Sequence, residues 1–396
     1  MLETVPMAPP DPILGLNEAF QSDRNLKKVN LTIGVFQDAE GKTPILECVR
    51  LAEERVLTRQ TSKSYLGIQG NVEFGRLVQE LLFGEGHEVV TGGLAATVQT
   101  PGGTGALRVA ADFVKKLFPD TTVWCSKPTW PNHKSVFAAA CLPVRSYPYF
   151  DPANNGLDFE AMLASLGQIP AGDVVCLHAC CHNPSGVDPT QSQWRQIAEV
   201  IGLRGLLPLL DFAYHGFGRG LREDAEALSE LSRSGGEMMV CSSYSKNFGI
   251  YNERVGALSV VAATAQQAGA AMSQLKACVR ANYSNPPAHG AAIVATILFD
   301  EALRRRWHEE LGQMCDRIKT TRQLFVDAMK DRVPDRDFSF ISRQRGMFSF
   351  SGLTPDQVQQ LRTKYSIYIV GSGRINVASL TEKNIDYVSQ SIAEVL

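Results

Sequence analysis

The sequence predicts an α/β fold built on a mostly parallel sheet, together with a second, smaller α+β unit. Three observations lead there. Short apolar runs alternate with helical segments through the middle of the chain: TTVWCS at 121–126, VVCLHAC at 174–180, LLPLLDF at 206–212, MMVCSS at 238–243 and VGALSVV at 255–261. Runs of that kind are the pattern of strands buried on both faces between crossover helices. The chain has 396 residues, which favours two domains over one core. Beyond a long helical stretch at 299–330 the texture changes to strand-like segments at 338–353 and 365–378 around a helix at 355–364.

Taken in order, the chain opens on a turn-rich segment with Pro6, Pro9, Pro10 and Pro12. A short strand is expected at Val29 to Phe36, before the turn at Glu40-Gly41, and can join the smaller unit. Glu47 to Thr58 reads as a helix. So does 104–117, where Leu107, Ala110, Phe113, Val114 and Leu117 share one face. A further helix is expected at 190–204. Pro208 is awkward inside an apolar run, because proline gives no N–H to a sheet ladder.

Composition narrows the function. Lys plus Arg total 39 and Asp plus Glu total 41, for a formal charge of -2. That balance does not favour nucleic acid, which is held by a basic surface. Arg304, Arg305 and Arg306 fall in a helical pattern with Leu303, Trp307, Leu311, Met314 and Ile318, and read as a solvated face. The nine cysteines are odd in number and scattered, so they suggest buried thiols in a reducing compartment rather than a disulfide framework. Cys176, Cys180 and Cys181 lie near His178 and His182, but no second pair follows at zinc-like spacing, and no metal is expected. Met1 to Pro12 lacks a secretion signal, and no window approaches the roughly 18 apolar residues of a membrane span. A cytoplasmic location is the resulting expectation, with no membrane partner.

Six motifs carry chemistry. PGGTGALRV at 101–109 runs glycines into a helix start, either an anion site or a tight turn with a close helix contact. It ends neither as a P-loop nor as a dinucleotide fingerprint. SSYSKNFGIYNERVG at 242–256 puts Lys246 just past an apolar strand, where α/β sheets hold ligands. A lysine desolvated there can act as an amine nucleophile, and Ser243, Ser245 and Arg254 suit a phosphate. In LLDFAYHGFG at 209–218, Asp211 ends an apolar run, with Tyr214 three residues on. Such an acid either partners a cation, a pyridinium nitrogen among the options, or caps a helix. CHNPSG at 181–186 is a turn, and the Asn183 amide can also donate to a ring oxygen. KPTWPNHKS at 127–135 offers Trp130 as a platform or a core residue, with His133 able to support an acid. Arg374 after Gly371-Ser372-Gly373, and Arg280 before NYSNPP, are either structural ion-pair partners or carboxylate clamps.

Together these segments resemble the aspartate and aromatic aminotransferases of the fold-type I pyridoxal-phosphate family. The likeness runs from DPILGL at 11–16 to the last strand region. It is most specific in TPGGTGALRVAADF, WPNHKSVF, CCHNPSG, SSYSKNFGIYNERVG and RANYSNPPAHGA. It implies a seven-stranded, mostly parallel sheet in a large cofactor-binding domain at 46–311. An N-terminal arm and part of the small domain would lie at 1–45, and the small C-terminal domain at 312–396. It further implies pyridoxal 5'-phosphate bound covalently to Lys246 as a Schiff base. Asp211, supported by His133, would face the pyridine nitrogen. Tyr214 and Asn183 would hold the phenolic oxygen, and Trp130 would stack on the ring. Gly103, Thr104, Ser243, Ser245 and Arg254 would bind phosphate, joined by Tyr65 of the other subunit. Arg374 would hold the substrate's α-carboxylate, and Arg280, again from the other subunit, a distal carboxylate. Gly34 and Phe348 would lie at the substrate mouth, and Asn285 near the shared site of a homodimer.

The implied reaction moves an amino group from L-aspartate to 2-oxoglutarate, giving oxaloacetate and L-glutamate, with appreciable activity on aromatic amino acids. A primarily tyrosine and phenylalanine enzyme is the alternative. Val35, Thr43, Thr104 and Asn285 match the aspartate type. Gln37, Ser64 and Phe36 depart from the Lys, Asn and Tyr common there, and the lysine lost at Gln37 lowers positive potential at the mouth.

Overall fold

The computed structural model describes residues 1–7, 14–233 and 235–396. Pro9, Pro10, Pro12 and the first three residues of DPILGL therefore lie outside the described residues. The chain divides into two compact units. The larger comprises Pro44–Asn183 and Val187–Asp316; the smaller comprises Met1–Thr43, Pro184–Gly186 and Arg317–Leu396.

The larger unit is organised on a seven-stranded sheet. Its strands are β1 (Ala95–Pro101), β2 (Val123–Lys127), β3 (Val144–Pro148), β4 (Val174–His178), β5 (Leu207–Phe212), β6 (Met238–Ser243) and β7 (Val255–Val261). Their order is β1-β7-β6-β5-β4-β2-β3, and β7 runs antiparallel to both of its neighbours. Every expected apolar run is a strand. Pro208 is accommodated because β5 begins pairing with β6 only at Leu209, so the missing N–H has no ladder partner to lose.

Two strands, β1 and β3, were not expected. In β1 the pattern is masked by polar residues that find partners inside: Thr97 Oγ1 meets Ser259 Oγ at 2.8 Å, and Gln99 Nε2 donates to Pro287 O at 2.6 Å. β3 is an edge strand with exposed residues, so it shows no continuous apolar run. The helix α1 (Gly102–Leu117) begins two residues before the expected start. It packs Leu107, Ala110, Phe113 and Val114 against Val98, Cys125, Leu209, Met239 and Leu258 of the sheet. The helix at Gln191–Arg204 is defined by a Thr190/Gln193 capping box and by Gly205 in the left-handed conformation after it.

The long helical stretch expected at 299–330 is interrupted at Asp300. One helix ends at Phe299 and the next, Glu301–Arg332, starts with Asp300 Oδ1 accepting from Leu303 N at 2.9 Å.

In the smaller unit Val29–Asn30 pairs in parallel with Ile367–Tyr368, and Phe348–Phe350 pairs antiparallel with Arg374–Asn376. Helices Pro355–Tyr365 and Ile385–Val395 cover a core of Leu31, Phe325, Ile341, Leu361, Ile375, Val388 and Ile392. Two expectations need correction. The strand at 29–36 is only two residues long. Past it, the Asn376 amide donates to Ile33 O and Val35 O, so a side chain takes carbonyls that a ladder would have used. Phe340–Arg343, expected as strand, is a helical turn whose Phe340 and Ile341 are still buried. Among the described residues no helix is long and apolar enough to cross a membrane.

Candidate active site

The parallel strands of the larger unit carry their chemistry at their C-terminal ends, as open α/β sheets do. His178 ends β4, Asp211 is next to last in β5, and Ser243 ends β6. Register places His178 directly opposite Asp211. Thr129 and Trp130 follow β2, and α2 (Asn132–Ala139) carries His133 in its first turn.

These residues form a buried relay. His133, fully buried, sets its Nε2 at 3.0 Å from Asp211 Oδ2 and its Nδ1 at 2.8 Å from Thr129 Oγ1. Burial pushes the Asp211 carboxyl up, but the hydrogen bond and charge of His133, with Lys246 further off, outweigh it and hold the pKa below the usual value. Asp211 is therefore a carboxylate, which only accepts, so Nε2 of His133 donates to it. The Thr129 hydroxyl meets the other ring nitrogen, Nδ1. Trp130 stands edge-on to His133, ring centroids 5.4 Å apart. Burial, followed by its histidine neighbours, drives His178 well below the usual imidazole pKa and keeps it neutral.

Lys246 follows β6. Its Nζ lies 4.6 Å from the centroid of the buried Tyr214 ring. Desolvation lowers its pKa from 10.5 to about 8, against the pull of Asp211 and with help from Arg254. The amine is thus far closer to its neutral, nucleophilic form at physiological pH than a surface lysine.

Beside it lies an anion cradle. Ser243 Oγ reaches Ser245 Oγ at 3.3 Å, and Arg254 Nη1 reaches the same Ser245 oxygen at 3.3 Å. The start of α1 carries no side-chain cap, so its first N–H groups stay available to a ligand. Glycine is required here. Gly102 has φ 73, and a Cβ on it would lie 2.9 Å from Arg254 Cζ. On Gly103 a Cβ would lie 2.9 Å from Ser243 Cβ. The helix end, two hydroxyls and a guanidinium thus converge with no side chain between them, a donor set suited to a phosphate dianion. An aldehyde-reactive amine and a carboxylate fit for a pyridinium nitrogen complete what pyridoxal phosphate requires. Thr104 is half-buried in the same first turn, and Asn183 is buried after β4.

Three further expected residues of the larger unit are exposed or half-buried. Tyr65 is 92% exposed. Arg280 is exposed at the end of the helix Ala265–Asn282, bonded to Ser284 Oγ, and Asn285 is half-buried just beyond. Gly34, Phe348 and Arg374 belong to the smaller unit and meet one another there. The Arg374 guanidinium lies 4.1 Å from the Phe348 ring centroid, and a Cβ on Gly34 would be 2.7 Å from Phe348 Cζ. Two residues outside the expected set belong to this cluster: Thr129, bonded to His133, and His178, whose ring centroid lies 5.1 Å from that of His133. The signal for Thr129 was its position just before the helix start, four residues ahead of His133. His178 carried none until β4 and β5 were aligned.

The sequence profile of the family described as aminotransferase class I and II matches residues 26–392. The chain is 56% identical to the aspartate aminotransferase of Salmonella typhi and 54% identical to that of Escherichia coli K12, each over the full length of both chains. Its fold is similar to that of the aromatic-amino-acid aminotransferase of Burkholderia pseudomallei, solved covalently bound to pyridoxal phosphate. That structure has a TM-score of 0.98 and 46% identity, covering 100% of this chain and 99% of the other.

Proposed function

We propose the activity from one premise: this chain belongs to the class I and II aminotransferase family. It is a pyridoxal-phosphate-dependent aminotransferase that moves the amino group of L-aspartate to 2-oxoglutarate, giving oxaloacetate and L-glutamate, with a side activity on aromatic amino acids. The observation that carries the reading is the buried Lys246 amine, its pKa lowered to about 8, in the same site as the Asp211–His133 pair.

Lys246 would hold the cofactor covalently through Nζ. Gly103, Thr104, Ser243, Ser245 and Arg254 would hold its phosphate, Asn183 and Tyr214 its phenolic oxygen, and Asp211 its ring nitrogen. Bound there, pyridoxal phosphate supplies an aldehyde carbon for the amine and a ring that takes up the electron pair left when the Cα proton departs. Lys246 Nζ would act as the base toward the Cα proton and then, protonated, as the acid that gives it up. Asp211 keeps its negative charge throughout because His133 donates to it, and so favours a protonated partner. Arg374 would orient the substrate by its α-carboxylate, stacked on Phe348 at the mouth with Gly34.

Tyr65, Arg280 and Asn285 are read as contributions to the site of a second copy in a homodimer. Tyr65 and Arg280 extend into solvent on their own chain, which supports that reading. The proposed location is the cytoplasm; the nine free cysteines suit a reducing compartment.

Substrate choice is tested by steady-state kinetics. The ratio of kcat/KM for aspartate over phenylalanine is expected to exceed one, and a clear excess for phenylalanine would establish the aromatic alternative instead. Arg280→Ala should lower kcat/KM for aspartate by about 10²-fold or more, since a paired charge is lost, while phenylalanine changes by less than about fivefold. Equal losses on both substrates would remove the distal-carboxylate role.

A pH experiment tests Lys246 separately. Protein stripped of cofactor is expected to take up pyridoxal phosphate faster as pH rises, with a midpoint near 8, because only the neutral amine attacks. A midpoint near the ordinary lysine value of 10.5 would show that the amine is not desolvated.

A further inference from the structure

Arg322 is among the largest fully buried side chains of the protein, with 2% exposure. A guanidinium is costly to bury unless its terminal N–H groups find acceptors. Its Nη1 donates to Ile341 O at 2.9 Å and Ser349 Oγ at 2.5 Å, and its Nη2 to Gly346 O and Phe348 O at 2.7 Å each. Three of those acceptors, on Gly346, Phe348 and Ser349, lie on the turn and strand that present Phe348, and the fourth is on the helical turn Phe340–Arg343. The Phe348 ring in turn packs under the Arg374 guanidinium, 4.1 Å from its centroid, while Arg374 Nη2 donates to Thr32 O at 2.6 Å. At its tip the ring leaves no room for a Cβ on Gly34.

We infer that Arg322 is a positioning residue for substrate carboxylate recognition, holding Phe348 where its ring aims the Arg374 guanidinium. The inference rests on the reading of Arg374 as the holder of the α-carboxylate. Arg322 touches no substrate in this account. Its planar fork fixes the backbone of residues 346–349 from two directions, and the ring orientation follows from that backbone. The ring face offers the guanidinium a flat, weakly hydrated surface, on which it can stack while still presenting donors to a carboxylate. Lysine, a single ammonium on a flexible stem, cannot meet four acceptors set in a fork.

The test is a double-mutant cycle on the cofactor-loaded enzyme with Arg322→Lys, Phe348→Ala and their combination. The readouts are the Kd for a non-reacting dicarboxylic acid by calorimetry, KM and kcat for aspartate, and thermal stability. Arg322→Lys is expected to raise Kd and KM by roughly tenfold with kcat changed by less than about threefold, since binding geometry rather than proton transfer is disturbed. In the Phe348→Ala background the same change should add less than about twofold, because its route to Arg374 is already gone. Stability should fall in both backgrounds alike. Unchanged Kd with lowered stability, or effects on Kd that multiply in the double variant, would overturn the inference and leave Arg322 a purely structural residue. Should Arg322→Lys not fold, Ser349→Ala removes one of its acceptors and is expected to raise Kd about threefold; no change in that variant counts against the inference equally. Arg374→Lys serves as the separate control. If it leaves Kd untouched, the carboxylate role of Arg374 itself fails; if it weakens binding while the cycle shows no coupling, only the role of Arg322 fails.

Discussion

Lys246→Ala is expected to lower kcat for aspartate and 2-oxoglutarate by about 10⁴-fold or more, since on the proposed mechanism it removes the residue that exchanges a proton with Cα. Neither the acid nor the serine hydroxyls near it are placed to replace it. Asp211 is already committed to His133, and the hydroxyls of Ser243 and Ser245 face each other and Arg254. Binding of the cofactor should survive. The start of α1, Ser243, Ser245 and Arg254 are untouched by the substitution, and they supply the charge-assisted contacts to phosphate. The variant is therefore expected to release about one pyridoxal phosphate per chain on denaturation. Borohydride treatment before denaturation, which fixes the cofactor to the native enzyme, should fix none to the variant. Turnover at the normal rate, or cofactor still fixed to the chain, would remove Lys246 from the mechanism.

Asp211→Asn is the second large effect. The amide keeps the shape and an oxygen that accepts from His133, but not the charge, so stability should change little while kcat falls by about 10³-fold. Asp211→Ala should lose a similar factor in kcat and in addition destabilise the fold by about 1–3 kcal/mol, because the His133 N–H is left buried without an acceptor. A further signature follows from the electrostatics. The Asp211 carboxylate raises the Lys246 pKa, so in Asp211→Asn the pH midpoint of cofactor uptake should fall below about 8. A variant with wild-type kcat, or one whose uptake midpoint moved upward, would show that this carboxylate does not set the charge of the site.

The reading of individual residues followed how local their signals were. Lys246, Ser243 and Ser245 share one short segment at the end of an apolar run, and strand plus loop chemistry within a dozen residues made them visible. Asp211 was legible for the same reason, as an acid ending a run that had to be a buried strand. β1 was not, because Thr97 and Gln99 look like surface residues until Ser259 and Pro287 are brought to them from more than 150 residues away. Val29 to Phe36 had the composition of a strand, but Asn376 competes for its carbonyls after the first two residues.

By itself the sequence determined the layered α/β class, the helices near 190–204 and 355–364, and the segment that bears the candidate amine. Those are short-range matters, governed by periodicity, capping and burial of contiguous side chains. Only the tertiary structure decided which groups tune that amine and that acid. His178 opposite Asp211, Thr129 on His133, and Gly102 against Arg254 are pairings across strands and helix ends. Electrostatic and hydrogen-bond energies depend on distances of a few ångströms in a water-free interior, and such distances between remote residues exist only once the chain is packed.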